Sequence, residues 1–345
     1  MSDQKSLLSN EVLIAAGAIG FNYAVTMGIV FVNKLLFLRT TFPVLTLAAT
    51  HLAVSALFTR AAAYAGLVKP RAAKMDQTIF AVSALQTLAI SLGQASLKLN
   101  SMGFFQLTKQ MQVPLVATIE FVFLGKRLSV VKMGLLVLMT LSVCVACASD
   151  VKFSWLGAVL AATGTVCTSI EAVLYSHLQQ SLGWETLQLL YTTMPLATAG
   201  MSIVAMYIDL RFGALGGGAG SGNFSNFSAG MDTVCITLFL LSCVLGMAVN
   251  VSSCFVNGKA SALAYAMLGL AKTCTVILVG IALFDDVPTV RVAVGTLTAI
   301  GAIIMYTKLT LDEKAKRDAH SVVNMKHKPV EMLKAPLMDD RKSKS

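Results

Sequence analysis

Gly103-Phe104-Phe105-Gln106-Leu107-Thr108-Lys109-Gln110-Met111-Gln112-Val113-Pro114 sets a lysine inside an apolar run of spanning length. A cation at bilayer depth costs roughly 2.5–3.5 kcal/mol on insertion scales, so it normally faces a polar cavity rather than lipid. The situation recurs at Tyr265-Ala266-Met267-Leu268-Gly269-Leu270-Ala271-Lys272-Thr273. Outward from these two lysines the chain is one apolar stretch after another, each about 20 residues, the length a helix needs to cross a bilayer.

Of the 345 residues, 56% are hydrophobic and 13% charged, and the mean hydropathy is +0.74. A soluble domain of this length needs more polar surface than that. The expected fold class is an all-α membrane protein of ten transmembrane helices. The spans read roughly as 12–37, 43–67, 78–98, 102–124, 130–148, 154–178, 185–208, 233–256, 261–284 and 288–307. Residues 1–11 form a short polar N-terminus and 308–345 a basic tail.

The net charge of +10 is distributed in a way that argues against nucleic acid as a partner. Lys69, Arg71 and Lys74 fall in one connection, Lys126, Arg127 and Lys132 in another, and Lys308, Lys314, Lys316 and Arg317 after the last span. Asp150, Asp209, Asp232, Asp285 and Asp286 fall in the alternate connections. This positive-inside bias places both termini in the cytosol. Only about ten polar residues precede the first span, leaving no room for a transit peptide. Val12–Leu38 is too long for a cleaved signal peptide, so it is expected to stay as the first helix.

All seven cysteines lie within expected spans, and Cys144-x-x-Cys147 has no second pair or histidine nearby. Small apolar packing accounts for them better than a metal or redox motif. Neither a metal nor a cofactor is expected.

Phe123-Leu124-Gly125-Lys126-Arg127-Leu128-Ser129 lines up with Leu283-Phe284-Asp285-Asp286-Val287-Pro288-Thr289. Each is a span end, a tight polar turn and the start of a glycine-bearing last span. The units are 12–148 and 154–307, five spans each, and an odd span number makes them opposite in orientation. Inverted repeats of this kind hold their ligand near the midplane between the halves. On this alignment Lys272 falls within one helical turn of the position equivalent to Lys109. Two cations approaching a pseudo-twofold axis suit an anion with charge on adjacent phosphates.

Residues 209–231 carry a Gly-rich insert with two sequons, at Asn223 and Asn226, and the charge rule places this loop on the non-cytosolic side where glycosylation occurs. A third sequon at Asn250 lies within a span and is expected to be inaccessible.

Gln106, Lys109, Gln110 and Val113 share one face by helical spacing, and Pro114 removes a backbone bond and can kink the helix there. Tyr265, Leu268, Gly269 and Lys272 share another, with Gly269 leaving room for a bulky group. The lesser alternative for Lys109 is pairing with an acid such as Glu171 purely for packing, and Glu171 itself reads as a counter-charge or a proton carrier. Lys34 lies close enough to the interface to snorkel, and Glu120 is placed to reach the headgroups. Gln94, Tyr191 and Asn250 are mid-span groups that either a ligand or an interhelical hydrogen bond would satisfy.

At these residues the chain resembles the nucleotide-sugar and triose-phosphate translocator family of the drug/metabolite transporter superfamily. The matching pieces are Asn33-Lys34 with Phe42-Pro43 and His51; Asn100 to Lys109; Gly125-Lys126; Asp150-Val151-Lys152-Phe153; Leu187 to Tyr191 with Pro195; and Gly269 with Lys272-Thr273. They run in order over nearly the whole chain. The resemblance implies exchange of phosphorylated metabolites, with Lys109 and Lys272 gripping phosphate and Thr273 and Tyr265 adding hydrogen bonds. Gln106, Gln94, Tyr191, Asn250 and Lys34 complete the candidate substrate-binding set.

Plastid sugar-phosphate exchangers of that family carry Lys-Arg where this chain has Lys272-Thr273, a pair resembling the branch that carries UDP-galactose, UDP-rhamnose or UDP-xylose. Two departures bear on substrate identity: Gly269-Leu270 stands for a usual Gly-His, and Phe105 for a frequent Tyr. The GDP-mannose signatures Phe-Tyr-Asn-Asn and Gly-Ala-Leu-Asn-Lys are absent. The expected function is a Golgi-membrane antiporter exchanging a cytosolic UDP-sugar for lumenal UMP, with the endoplasmic reticulum a second location. A plastid-type sugar-phosphate exchanger and a GDP-sugar transporter are the alternatives. The short loops carry no paired-acid or His-acid set, so an enzyme is not expected. Expected partners are the nucleotide sugar, the nucleoside monophosphate, membrane lipid and, in a homodimer, a second copy.

Overall fold

The computed structural model describes residues 2–40, 42–71, 77–100, 108–109, 111–125, 127–147, 154–212, 232–260, 262–284, 290–291, 293–295, 297–310 and 312–313. These residues form helices and connections, with no strand among them. In chain order the helices are α1 (Ser2–Arg39), α2 (Val44–Tyr64), α3 (Gln77–Leu99), α4 (Gln112–Leu124), α5 (Val130–Cys147), α6 (Trp155–Gln180), α7 (Thr186–Phe212), α8 (Thr233–Lys259) and α9 (Ala262–Phe284), then α10 (Ala293–Thr310). Seven of them (α1, α2, α3, α6, α7, α8 and α10) are long and apolar enough to cross a membrane. The remaining three carry shorter apolar stretches, Gln112–Leu124, Val130–Ser142 and Ala262–Lys272. The protein is therefore an all-helical, multi-span membrane protein.

Its exterior is that of a body immersed in lipid. Leu57, Phe80, Phe123, Leu141, Leu241 and Ile304 are all exposed, whereas Ser55, Thr59, Ser169, Thr193 and Ser242 are buried. With no hydrophobic drive between helices in a bilayer, contact rests on small residues and interhelical hydrogen bonds. The pairing of α3 with α7 illustrates it. Ser83, Thr87 and Ser91, spaced by four, bond back to the carbonyls of Ile79, Ser83 and Thr87. The same hydroxyls reach across to the carbonyls of Thr193 at 3.2 Å and Ala197 at 3.4 Å and to Met201 Sδ at 3.9 Å. Gly200 permits this approach, since a Cβ there would lie 3.0 Å from Thr87 Oγ1.

Apolar packing divides into two main clusters. One joins α4, α5, α9 and α10 through Val116, Leu136, Met139, Leu270 and Tyr306. The other joins α2, α3, α7 and α8 through Leu52, Val82, Leu190, Met194 and Cys254. The helix α6 serves both, giving Ala172 and Val173 to the first and Tyr175 and Leu178 to the second.

Several boundaries differ from those expected, each for a local reason. Helix α1 starts at Ser2 rather than near 12, because Ser2–Glu11 holds neither Gly nor Pro to stop it. The expected fourth span breaks near Lys109: Thr108 and Lys109 are helical, Met111 N–H bonds to Thr108 O at 3.1 Å, and α4 begins only at Gln112. Pro114 then falls in the first turn, where its missing N–H has no intrahelical partner to lose. It accompanies a break rather than a kink. Glu120, expected at the headgroups, is instead only 5% exposed. The tight turn after α4 is present, with Gly125 at φ +63° and its N–H bonded to Glu120 O; its counterpart at 285–289, and Asn223 and Asn226, lie outside the described residues. Lys132 bonds to Glu313 at 2.6 Å and lies 5.5 Å from the Tyr306 ring centre, tying α5 to the end of α10.

Helix α7 runs to Phe212, so Asp209 is a helical residue rather than the start of a loop. Pro43 precedes α2 without capping it, and Asp209 Oδ2 supplies the missing acceptor, taking the Thr46 N–H at 3.0 Å and the Thr46 hydroxyl at 2.7 Å. A carboxylate also suits the positive end of the helix. Asp209→Ala is expected to lose about 1.5–3 kcal/mol, the typical worth of hydrogen bonds to a charged group. The check is a melting temperature in detergent several degrees below wild type.

Candidate functional site

A cavity of about 450 Å³ lies where the two packing clusters part. Helix α9 presents Tyr265, Ala266, Gly269 and Lys272 to it, and α1 presents Thr26 and Val30. From α3 come Gln86 and Gln94, and from α6 Thr165, Thr168 and Glu171; Lys109 enters from the turn before α4, together with Gln112. Lys109 is an exposed residue and is among those lining this chamber. A second chamber of about 130 Å³ shares Gln86, Thr168, Glu171 and Tyr265 with the first. It continues to Tyr175, Asn250, Ser253 and Asn257.

Lys272 Nζ donates to Asn22 Oδ1 at 2.5 Å and to Thr26 Oγ1 at 2.9 Å, and lies 6.0 Å from the Tyr265 ring centre. Both acceptors are neutral, so the ammonium is solvated without being cancelled. A third N–H remains, since an ammonium carries three donors. Gln112 Nε2 and Gln86 Oε1 are buried with no hydrogen-bond partner among the described residues. Groups of that kind are usually satisfied by a ligand or by water. The first chamber thus holds two lysines against one carboxylate, Glu171, with amides and hydroxyls between them.

Most of the expected set comes together here. Lys109, Lys272, Tyr265 and Gln94 line the first chamber and Asn250 the second. Asn250 already donates to Ser55 Oγ at 2.9 Å. Gly269 faces open space, with nothing within 4 Å of where a Cβ would stand. Tyr191 lines neither chamber: its ring lies 4.3 Å beneath the Arg60 guanidinium, and its hydroxyl accepts from Arg60 at 3.1 Å. Lys34 is exposed and away from the cavity. Gln106 and the side chain of Thr273 lie outside the described residues.

Of the face expected around Lys109, Val113 is 1% exposed and packs in the first apolar cluster, while Gln112, three residues from Lys109 and so on the same side of a helix, lines the chamber. Asn22, Thr26, Gln86 and Gln112 were not singled out by sequence. Asn22 and Thr26, four apart in an apolar run, carried the signal.

Helices enclosing a polar-lined chamber in a lipid-facing body fit a membrane transporter. The chain belongs to the Triose-phosphate Transporter family, whose model matches residues 14–307. Among Arabidopsis thaliana proteins it is 29% identical over 307 residues to "Nucleotide-sugar uncharacterized transporter 2", covering 86% of this chain and 73% of the relative. It is 28% identical to "UDP-xylose transporter 1", covering 89% and 86%, and 27% identical to "UDP-rhamnose/UDP-galactose transporter 1", covering 96% and 91%. A solved crystal structure shares the fold with a TM-score of 0.61 at 15% identity, over 85% of this chain and 96% of the other.

The open space at Gly269 separates stability from occupancy. Gly269→Leu is expected to leave the melting temperature near wild type while filling the chamber, so a folded protein loses solute exchange in proteoliposomes.

Proposed function

We propose that this protein is a nucleotide-sugar antiporter built as ten spans in two inverted five-helix repeats, 12–148 and 154–307. In this reading it carries a UDP-sugar of the UDP-galactose type from the cytosol into the Golgi lumen and returns UMP. Both termini face the cytosol, and Asn223 and Asn226 are glycosylation sites on the lumenal 209–231 loop. The observation carrying the reading is that one chamber receives a lysine from each half of the chain, Lys109 and Lys272. The similarity to UDP-xylose and UDP-rhamnose/UDP-galactose transporters supports the nucleotide-sugar class, and the Lys272-Thr273 pair agrees with it.

The division of labour follows from the lining. The phosphates lie between Lys109 and Lys272, where Gln112 Nε2 is an idle donor. The uncharged remainder of the ligand reaches into the second chamber, where Asn250, Ser253, Asn257 and Tyr265 offer neutral polar groups. Coupling is electrostatic. Closing the chamber empty leaves the Lys272 ammonium against neutral acceptors alone, and an uncompensated buried ion costs several kcal/mol. A bound phosphate cancels that cost, so the loaded carrier crosses and the empty one does not. This produces exchange rather than uniport.

Removing one partner of a desolvated charge pair costs at least about 2 kcal/mol, roughly a thirtyfold loss of affinity. Lys109→Ala and Lys272→Ala are therefore each expected to weaken UMP binding by that factor or more and to abolish trans-stimulated UDP-sugar uptake into UMP-loaded proteoliposomes. Uptake at the wild-type rate in either variant overturns the assignment. A panel of UDP-, GDP- and CMP-sugars with triose phosphate as a further substrate identifies the solute.

A further inference from the structure

Asn22 is fully buried, at 0% exposure, and lines neither chamber. Its carbonyl must face Lys272, because an ammonium has only donors to offer, and this turns its amide nitrogen toward α8. There it donates to Ser252 Oγ at 2.8 Å and Ser253 Oγ at 3.0 Å. Ser253 lies close to the Tyr265 side chain in the second chamber. Tyr265 lines both chambers and Ser253 the second. One amide on α1 therefore stands between the cation of the first chamber and two hydroxyl groups of the second.

We propose that Asn22 is a positioning residue that sets the Lys272 ammonium for phosphate and links its movement to the Ser253–Tyr265 pair and to the α1–α8 contact. The proposal rests on the reading of Lys272 as a phosphate ligand. Thr26 gives its own hydroxyl proton to Asn22 O at 2.6 Å, so its lone pairs are left for Lys272. Two of the three ammonium donors are thus fixed by α1, and the third points the charge. An anion that draws Lys272 forward pulls on Asn22, whose other end is anchored on α8. Because Asn22 is neutral, it holds the lysine without competing with the phosphate for its charge.

The test is a double-mutant cycle on the full-length protein in detergent, with UMP and UDP-galactose affinities measured by calorimetry and by thermal stabilisation. Asn22→Leu keeps the γ-branched shape, is somewhat larger, and removes both hydrogen-bonding ends. It is expected to weaken UMP binding roughly tenfold when Lys272 is present, and by less than about twofold in the Lys272→Ala background. That non-additivity marks a residue acting through another. A purely structural residue would lower the melting temperature by the same amount in both backgrounds and leave the cycle additive; that outcome, or unchanged affinity in Asn22→Leu, overturns the proposal. Should Asn22→Leu fail to fold, the paired Ser252→Ala, Ser253→Ala variant frees the amide from the α8 side. It is expected to weaken UMP binding about threefold with the same dependence on Lys272, and additivity there overturns the proposal equally. If wild type binds neither nucleotide, the functional reading fails and this inference falls with it. Binding by wild type with an additive cycle removes the inference alone.

Discussion

A lysine ammonium at bilayer depth must be solvated by the protein itself, and the rest of this fold is arranged around that need. Lys272 meets it with Asn22 Oδ1 and Thr26 Oγ1, two neutral oxygens from the first helix of the chain. A carboxylate in their place would satisfy the ammonium and leave nothing for a ligand to neutralise. Apolar neighbours would leave the ion with a penalty that no helix packing offsets. Neutral acceptors are the intermediate solution: they hold the cation and keep its field available. The cost is a polar seam inside the bundle, which runs from Asn22 to Ser252 and Ser253 and, through Tyr23 and Thr275, along the α1–α9 contact.

The packing elsewhere makes that seam affordable. Helices α3 and α7 lock through hydroxyls whose single proton is shared between a carbonyl of their own helix and one of the next. His51 packs onto Gly246, where a Cβ would come within 2.6 Å of its ring, and reaches Ser242 at 2.8 Å. These contacts tolerate no added atom. With two apolar clusters each complete in itself and sharing only α6, the space between them need not collapse.

What the sequence made legible follows the same energetics. Lys109, Lys272, Tyr265 and Gln94 could be named in advance because a charge within a span is too expensive to be incidental, and because α9 keeps one helical phase from Tyr265 to Lys272. Asn22, Thr26, Gln86 and Gln112 were hidden because a neutral polar side chain costs little in a span and finds partners almost anywhere. Around Lys109 helical spacing allows either Gln112 or Val113 beside the lysine, and the structure puts Gln112 on the chamber and Val113 in the first apolar cluster. Tyr191 looked like a ligand contact, but its hydroxyl and ring face belong to Arg60, 131 residues away in the chain. No local pattern encodes such a pairing. Asp209 read as loop for the same reason, its acceptor role being defined only by Thr46 on another helix.

The contacts around the chambers fall into two kinds, and the distinction bears on which helices can move. Glycine-mediated contacts such as α2 on α8 at Gly246, α3 on α7 at Gly200 and α6 on α8 at Gly258 are set by van der Waals fit, which is lost steeply over less than an ångström. At the last of these, Gln179 and Gln180 also bond the carbonyls of Cys254, Asn257 and Gly258 beyond the floor of the second chamber. The contacts of α1 combine both kinds: Gly28 lies against Leu245 and Leu36 packs with Leu238 and Phe239, beside the hydrogen bonds of Asn22 with Ser252 and Ser253, Tyr23 with Thr275, and Asn33 with Ser242. Hydrogen bonds exchange partners at a net cost of about 1 kcal/mol each, far less than their gross strength, whenever water or a ligand can replace what is lost. The hydrogen bonds around Asn22, which carry the acceptors of Lys272, are therefore the attachments of α1 that a bound anion rearranges at the lowest cost, while the packing of Gly28 and Leu36 on α8 stays in place.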